Sequence, residues 1–438
     1  MPKILLFGAG KSATVLIDFL VQRCAAAGFS LEVVDAQPGV AQQKIQESAA
    51  RARVGDHPFL GQAYDINDPN SRSTSISTAD LVLSLLPPQL HAIVAADCIR
   101  YGKSLFTASY IDEAIRQQTT AIQAKGILFL YEMGLDPGID HMSLLSLLED
   151  IRSQGGVPTR VLSHCGGLVA PESDNNPWHY KISWNPRNVV LAGKAGAQYL
   201  EQGVVVEKNH AQLFEESRTL HLPSVGDFAF YPNRDSLSYI DRYGLQGIDS
   251  FQRTTLRHPD FMRGWSALIA MGMIDEARAI ELPPGTTLSD ALHQCASIPD
   301  GLSPDLRSML AWLGWSDQST LVPFRTGTPA SILQFAMEHK WVLNPEDKDQ
   351  VVMLHEIEYR IGTEKKRLRS WLVDIGEDSV RTAMAKTVGL PLGIAALQFL
   401  TGTWKASGLQ IPSWPQLYKP VLKELEDYGI SFREQLDQ

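Results

Sequence analysis

Ile4-Leu5-Leu6-Phe7 is a continuous apolar run that stops at Gly8. Strands covered on both faces of a parallel sheet carry such runs. Apolar residues then recur at Ala13, Leu16, Ile17 and Leu20, the spacing of one helix face. Gly28 is placed to end that helix. Leu31-Glu32-Val33-Val34-Asp35 is a second short strand ending in an acid. The alternation continues with Leu81–Leu86, closed by Pro87-Pro88, a helix over about 90–100, then 104–110, a further helix, and a strand over 127–131. Strands alternating with helices in this way predict a doubly wound parallel sheet of Rossmann type.

After about residue 140 the pattern changes. Aromatic, Gly and Pro residues accumulate around 165–190 and 223–265. Val351–His355 and Arg367–Val373 both read as strands, with Gly362-Thr363 as the turn between them. The fold class expected is therefore α/β: a Rossmann-type sheet with an inserted α/β substrate domain containing a mixed sheet. Residues 379–400 return to a helical pattern, in which Pro391 should begin a new turn or kink the run. The expected division is 1–138 completed by 376–438, with 139–375 inserted.

Composition narrows the function classes. Of 438 residues, 44% are hydrophobic and 20% charged, ordinary globular usage. Lys plus Arg total 39 against 49 Asp plus Glu, a formal charge of −10. An acidic chain has no global electrostatic case for nucleic acid or anionic lipid, although a few local Arg residues could still hold anionic substrates. The four cysteines, Cys24, Cys98, Cys165 and Cys295, form no CxxC, so neither a disulfide framework nor a cysteine zinc site is expected. The N-terminal apolar run is too short for a signal peptide, and no run approaches a membrane span. A cytoplasmic location is the expectation.

The first strand, turn, helix, second strand and acid form a dinucleotide fingerprint. Gly8 permits the tight turn, Gly10 lets backbone approach a pyrophosphate, and Ala13 stands at the third glycine position. Lys11 and Ser12 lie at the helix N-terminus, which offers N–H groups and a positive dipole end. Asp35, at the usual distance of about twenty residues, can accept from an adenosine ribose and repels a 2′-phosphate, which favours NAD and leaves NADP open. Asp65 could border the adenine or simply occupy a surface turn, and Leu86 ends a strand that should approach the cofactor. Asp136 lies in Gly134-Leu135-Asp136-Pro137-Gly138, where a strand end and a sharp turn make it a site candidate; an Asx turn is the competing use. Cys165 precedes two glycines, and Arg234 and Arg257 lie in turn-rich settings that suit carboxylate recognition. His141, His164 and His179 show no ligand spacing, so no catalytic metal is expected.

Taken together, Gly8-Ala9-Gly10, Thr107-Ala108-Ser109-Tyr110, Gly134–His141, Cys165–Glu172, Tyr180–Trp184, Tyr231–Ser236, Thr255-Leu256-Arg257 and Ala383–Pro391 resemble the glutamate-forming saccharopine dehydrogenases, also called saccharopine reductases. The segments occur in family order and span most of the chain. The resemblance implies a Rossmann domain completed by C-terminal residues and an inserted substrate domain. It implies hydride transfer from saccharopine to a nicotinamide, then imine hydrolysis to L-glutamate and 2-aminoadipate 6-semialdehyde. It places Ser109, Tyr110, Asp136, Arg234, Thr255, Leu256 and Arg257 at the substrate. Thr107, Ala108, Ser109, Leu135, Asp136 and Pro137 fall near the cofactor, and Tyr110, Asp136 and Cys165 at proton-handling positions. The general base is left open.

Two positions depart from the family pattern. Asp35 stands where many NADP-using fungal members have a basic or neutral residue, and Thr254 stands where Gly is frequent. The alternatives are a C–N oxidoreductase acting on a carboxynorspermidine-like amine, or a non-catalytic NAD-binding regulator. A homodimer is compatible with these features, but the sequence leaves the oligomeric state open.

Overall fold

The computed structural model describes residues 1–55, 57–215 and 218–437. They form two compact units, Met1–Gln154 with Val380–Ser431, and Gly155–Ser379 with the segment from Phe432.

The first unit holds a seven-stranded sheet, all of it parallel. Its strands are β1 (Lys3–Phe7), β2 (Ser30–Asp35), β3 (Phe59–Ala63), β4 (Leu81–Ser84), β5 (Ser104–Thr107), β6 (Leu128–Leu130) and, late in the chain, β16 (Gly408–Gln410). The order is β3-β2-β1-β4-β5-β6-β16, the doubly wound arrangement with one strand added at the far edge. Order reverses between β1 and β4, so ligand chemistry belongs at their C-terminal ends. Ile4, Leu5, Leu6 and Phe7 are wholly buried, as the uninterrupted apolar run demands. The flanking helices include α1 (Thr14–Ala27), α2 (Val40–Ala52), α3 (His91–Tyr101) and α4 (Ile139–Ser153). Gly28 ends α1 in the left-handed region at φ 68°.

The expected domain boundary after residue 138 lies instead after Gln154. α4 stays with the first unit because it packs on α7 (Pro415–Glu426). Tyr418 donates to Glu149 at 2.6 Å, and Lys419 pairs with the same carboxylate. The completing segment starts at Val380 rather than 376 and ends at Ser431, because β17 (Arg433–Asp437) pairs antiparallel in the second unit's sheet.

α6 (Ala383–Leu400) runs without a break through Pro391, where the sequence suggested a fresh turn or a kink. Tertiary packing overrides the lost hydrogen bond, since most of the helix is buried. By length and composition it could cross a membrane, but its apolar surface is taken up inside the unit. Gly389 and Gly393 admit α1 closely: a Cβ at 389 would lie 2.9 Å from Leu16 Cβ, and one at 393 would lie 2.6 Å from Phe19 Cδ1.

The second unit contains a mixed ten-stranded sheet. Its central path is β10 (Arg218–Leu222), β11 (Gly226–Pro232), β13 (Ser250–Arg257), β7 (Val157–Val169), β14 (Asp349–Ile361), β15 (Glu364–Ile375) and β17. β8 (Ala197–Glu201), β9 (Val204–Lys208) and β12 (Arg234–Asp235) branch from β13. β7 and β13 pair in parallel, and β14 and β15 form the long hairpin expected around Gly362. The aromatic residues concentrated in the sequence form the core beneath α5 (Pro259–Ala270). Trp178, Trp265 and Trp341 are fully buried there, and Gly264 leaves room for the Trp178 ring.

Candidate functional site

At the end of β1, Gly8 adopts φ 96°, and a Cβ there would press on the backbone of Leu85 just beyond β4. Gly8 N–H donates to Val34 and Ala9 N–H to Asp35 Oδ2, at 2.8 Å each. Asp35 Oδ1 accepts from Gln37 N–H at 2.9 Å. The carboxylate thus ties the glycine turn to the end of β2, and an ionised carboxylate keeps further acceptor positions on both oxygens. Around Gly10 nothing lies within 4 Å of where a side chain would start, so a phosphate can approach this backbone. Lys11, Ser12 and Ala13 form a 3-10 turn leading into α1, with Ala13 buried. Lys44 Nζ, from α2, donates to Gly10 O and Thr14 Oγ1 and brings a cation to the turn. An open glycine backbone with a cation beside it is an arrangement that can receive a dinucleotide's pyrophosphate.

Asp65, after β3, is exposed and accepts from the N–H and side-chain amide of Asn67. It forms an Asx turn with Asn67. Leu86 lies half-buried beyond β4, beside the Gly8 turn.

At the end of β5, Thr107 Oγ1 accepts from Ser109 N–H, and Ser109 Oγ is 2.8 Å from His91 Nε2. The other nitrogen of His91 meets Ser84 Oγ at 3.1 Å. His91 therefore links the end of β4 to the turn after β5. The Tyr110 hydroxyl donates to Asp136 Oδ1 at 3.1 Å. Glu132 and Met133 N–H groups donate back to Ser109 and Thr107 carbonyls, clamping the two turns together. A Cβ at Gly138 would fall on the Gly134 backbone and one at Gly134 would press on Ala108 Cβ, so neither accommodates a side chain, and the Asp136–Pro137 peptide is cis. Below this turn His141 is wholly buried, with Nε2 2.9 Å from Glu132 and Nδ1 3.4 Å from Asp140. Asp140 also accepts from Gly138 N–H at 2.6 Å.

In the second unit, register places Tyr231, Thr255, Cys165 and Met353 in one row across β11, β13, β7 and β14. Cys165 is buried, and Thr255 is half-buried. Arg257, two residues along the same face, is 4% exposed. Its guanidinium lies over the rings of Tyr180 and Phe261 and donates to Leu256 O at 2.7 Å. Its Nε has no hydrogen-bond partner among the described residues. A buried guanidinium with an unused N–H has the fork geometry that can pair with a carboxylate. Arg234, which begins β12 just past the turn after β11, is exposed and held at φ 53°. That turn is pinned to β13 by Asn233 N–H on Arg253 O and Arg253 N–H on Ser236 Oγ.

Strand alternation sends Leu256 to the opposite face, into a small cluster with Phe230, Val352 and Leu354. Its side chain is therefore not beside those of Thr255 and Arg257. Thr254 faces the same way and meets His164 Nδ1 at 2.6 Å, so its departure from glycine acts on that face. His164 Nε2 is 3.5 Å from Glu356, an ion-pair distance rather than a well-formed hydrogen bond. Desolvation raises the Glu356 pKa, but His164 and Arg367 outweigh it and hold the carboxyl down at about 2.

Residues 4–130 match the family model described as the saccharopine dehydrogenase NADP binding domain, and 134–430 match the saccharopine dehydrogenase C-terminal domain. The chain belongs to the saccharopine dehydrogenase family. It is 30% identical over 460 residues to saccharopine dehydrogenase [NADP(+), L-glutamate-forming] of Schizosaccharomyces pombe, covering 100% of this chain and 99% of that one. The Saccharomyces cerevisiae protein of the same name is 32% identical, covering 98% of each chain. The solved apo structure of the S. cerevisiae L-Glu-forming enzyme superposes with a TM-score of 0.84 at 28% identity over the whole of both chains.

For a saccharopine dehydrogenase, the geometry collects the sequence-identified residues into separate groups. Gly8, Gly10, Asp35 and Leu86 gather at the switch point. Ser109, Tyr110 and Asp136 gather at neighbouring turns. Cys165, Thr255 and Arg257 share a sheet face. Sequence reasoning passed over His91 and Glu132. Burial pushes the His91 imidazole down to about 4, against the opposing pull of Asp112. Folded His91 therefore stays neutral where the unfolded chain, with its ordinary value near 6.5, takes up a proton. Its contribution is complete above pH 6.5 and is lost as pH falls toward 4. His91→Gln is expected to flatten the fall in urea-unfolding free energy across that window. Parallel pH profiles for variant and wild type would rule this out.

Proposed function

We propose that this chain oxidises saccharopine at the carbon on its lysine side, with NAD as the preferred acceptor, and hydrolyses the resulting imine to L-glutamate and 2-aminoadipate 6-semialdehyde. The observation that carries the reading is a relation extending through both units to enzymes whose names specify L-glutamate formation. The local chemistry agrees with it. The amine must lose a proton before hydride can leave, and water must lose one as it adds to the imine. Tyr110 and Asp136 form a hydrogen-bonded pair that can pass such protons, and Ser109 is fixed beside them by His91. Cys165 is the further proton-handling candidate. Arg257 and Arg234 supply charge for the substrate's three carboxylates, of which a carboxynorspermidine-like amine has fewer.

The turn at Gly10 would hold a nicotinamide dinucleotide, which accepts the hydride when bound. Asp35 supports NAD, because a carboxylate accepts from a ribose hydroxyl and repels a 2′-phosphate. The fungal relatives are named for NADP(+), so this residue is where the chain would depart from them.

Purified protein with saccharopine, assayed for reduced nicotinamide with NAD and NADP in parallel and followed by amino-acid analysis, tests both statements. Glutamate with the semialdehyde supports the reaction; lysine with 2-oxoglutarate would mean cleavage of the other C–N bond and overturn it. Asp35→Ala is expected to lower the NAD-to-NADP ratio of kcat/KM by about tenfold, the effect of one lost charge-assisted hydrogen bond. The ratio is the readout because the substitution also removes the acceptor for Ala9 N–H. An unchanged ratio would remove that role from Asp35, and faster turnover of wild type with NADP would retire the NAD preference.

A further inference from the structure

The loop after β7 and the start of α5 bring four titratable side chains together. His179 and His258 stack with ring centroids 3.7 Å apart. Asp260 Oδ2 lies 3.3 Å from His179 Nε2 and 3.7 Å from His258 Nδ1. On the far side of His179, Asp174 Oδ2 is 2.6 Å from Nδ1. One ligand atom from each of His179, His258 and Asp260 falls within 4.8 Å of the others. We propose that His179, His258 and Asp260 form a structural site for a borderline divalent ion such as zinc.

The donor set is two imidazoles and one carboxylate, which suits zinc, cobalt or nickel better than the all-oxygen preference of magnesium or calcium. Asp174 already makes the contact that an outer carboxylate makes to a metal-bound histidine: it accepts from Nδ1 and leaves Nε2 to the ion. Its second oxygen, Oδ1, is buried without a hydrogen-bond partner among the described residues. The local charge also calls for a cation. Asp174 and Asp260 bring two carboxylates to the cluster, and Asp260 also pairs with the exposed Arg263. Two imidazoles in face-to-face contact cannot both be charged cheaply. A divalent ion balances both carboxylates with both rings neutral. His179 holds φ 50°, a conformation retained where the surroundings over-determine it.

The site would join two segments that frame Arg257. His179 precedes Tyr180, and His258 follows Arg257 and caps α5 by accepting Asp260 N–H at 3.2 Å. Tyr180 and Phe261 are the rings that Arg257 lies against. An ion here would lock the aromatic frame around that guanidinium. The site stands independently of the reaction proposed above.

The test is zinc and cobalt binding to full-length protein stripped with a chelator, by equilibrium dialysis with metal analysis and by thermal unfolding. Asparagine variants keep the local backbone: His179→Asn because Asn tolerates positive φ, His258→Asn because Asn is a strong N-cap. One equivalent of zinc, a raised midpoint, and at least tenfold weaker binding in each variant are expected. No zinc uptake by the wild type, or equal uptake by wild type and both variants, would overturn the site.

Discussion

Gly138→Ala is expected to remove about 4 kcal/mol or more of folding stability, the range reached when a backbone clash joins a forbidden dihedral. Gly138 holds φ 147°, and an added Cβ would fall 2.1 Å from Gly134 O and 2.3 Å from Gly134 N. No side-chain rotation relieves that contact, because both neighbours are backbone. Gly134 has no room to withdraw, since its own Cβ position lies 2.8 Å from Ala108 Cβ. The strain therefore passes into the turn that carries Asp136 and into the Ala108 segment that carries Tyr110. It also reaches the buried Glu132–His141–Asp140 group, because Gly138 N–H donates to Asp140. Denaturant unfolding and far-UV circular dichroism check this together. A variant with wild-type midpoint and activity would mean the turn can re-form without this contact.

That turn also shows how far the sequence could be read. Gly-x-x-Pro-Gly after an apolar strand announces a sharp bend, and the bend occurs where expected. The pairing of Gly134 with Gly138, and the polar group beneath them, depends on contacts that spacing does not encode. The cofactor turn was legible in more detail because one strand–turn–helix unit contains nearly all of it within about thirty residues. Asp65 shows the limit: an acid after an edge strand serves a surface turn equally well, and here it caps Asn67. Leu256 shows another. A tripeptide motif groups it with Thr255 and Arg257, yet the two-residue period of a strand turns it to the other face. The two histidines of the candidate ion site were invisible as a pair, because they come from segments about eighty residues apart that only the folded second unit joins. Boundary errors have the same origin: α4 and β17 were assigned by chain position, whereas each belongs to the unit that buries it.

Arg257→Met should reduce kcat/KM for saccharopine by about 100-fold or more, mostly through KM, while leaving KM for the nicotinamide cofactor within about twofold. The basis is the value of a buried charge pair, about 2–5 kcal/mol when one partner is truncated, with each 1.4 kcal/mol worth about tenfold. Methionine preserves an unbranched stem between Tyr180 and Phe261, so the frame keeps its packing while the charge is removed. Arg257→Lys should recover only part of the loss, because an ammonium cannot present the planar fork that meets a carboxylate through two hydrogen bonds. Exposed Arg234, changed to Ala, should cost less, since solvent screens its charge. The split between parameters identifies the role. A rise in KM with kcat preserved marks binding that is equally strong in the ground and transition states, and a parallel fall in kcat marks a contact made only as the C–N bond is oxidised. If Arg257→Met keeps the wild-type KM but unfolds more readily, its cation serves the aromatic core instead of the substrate, and the carboxylate assignment passes to Arg234.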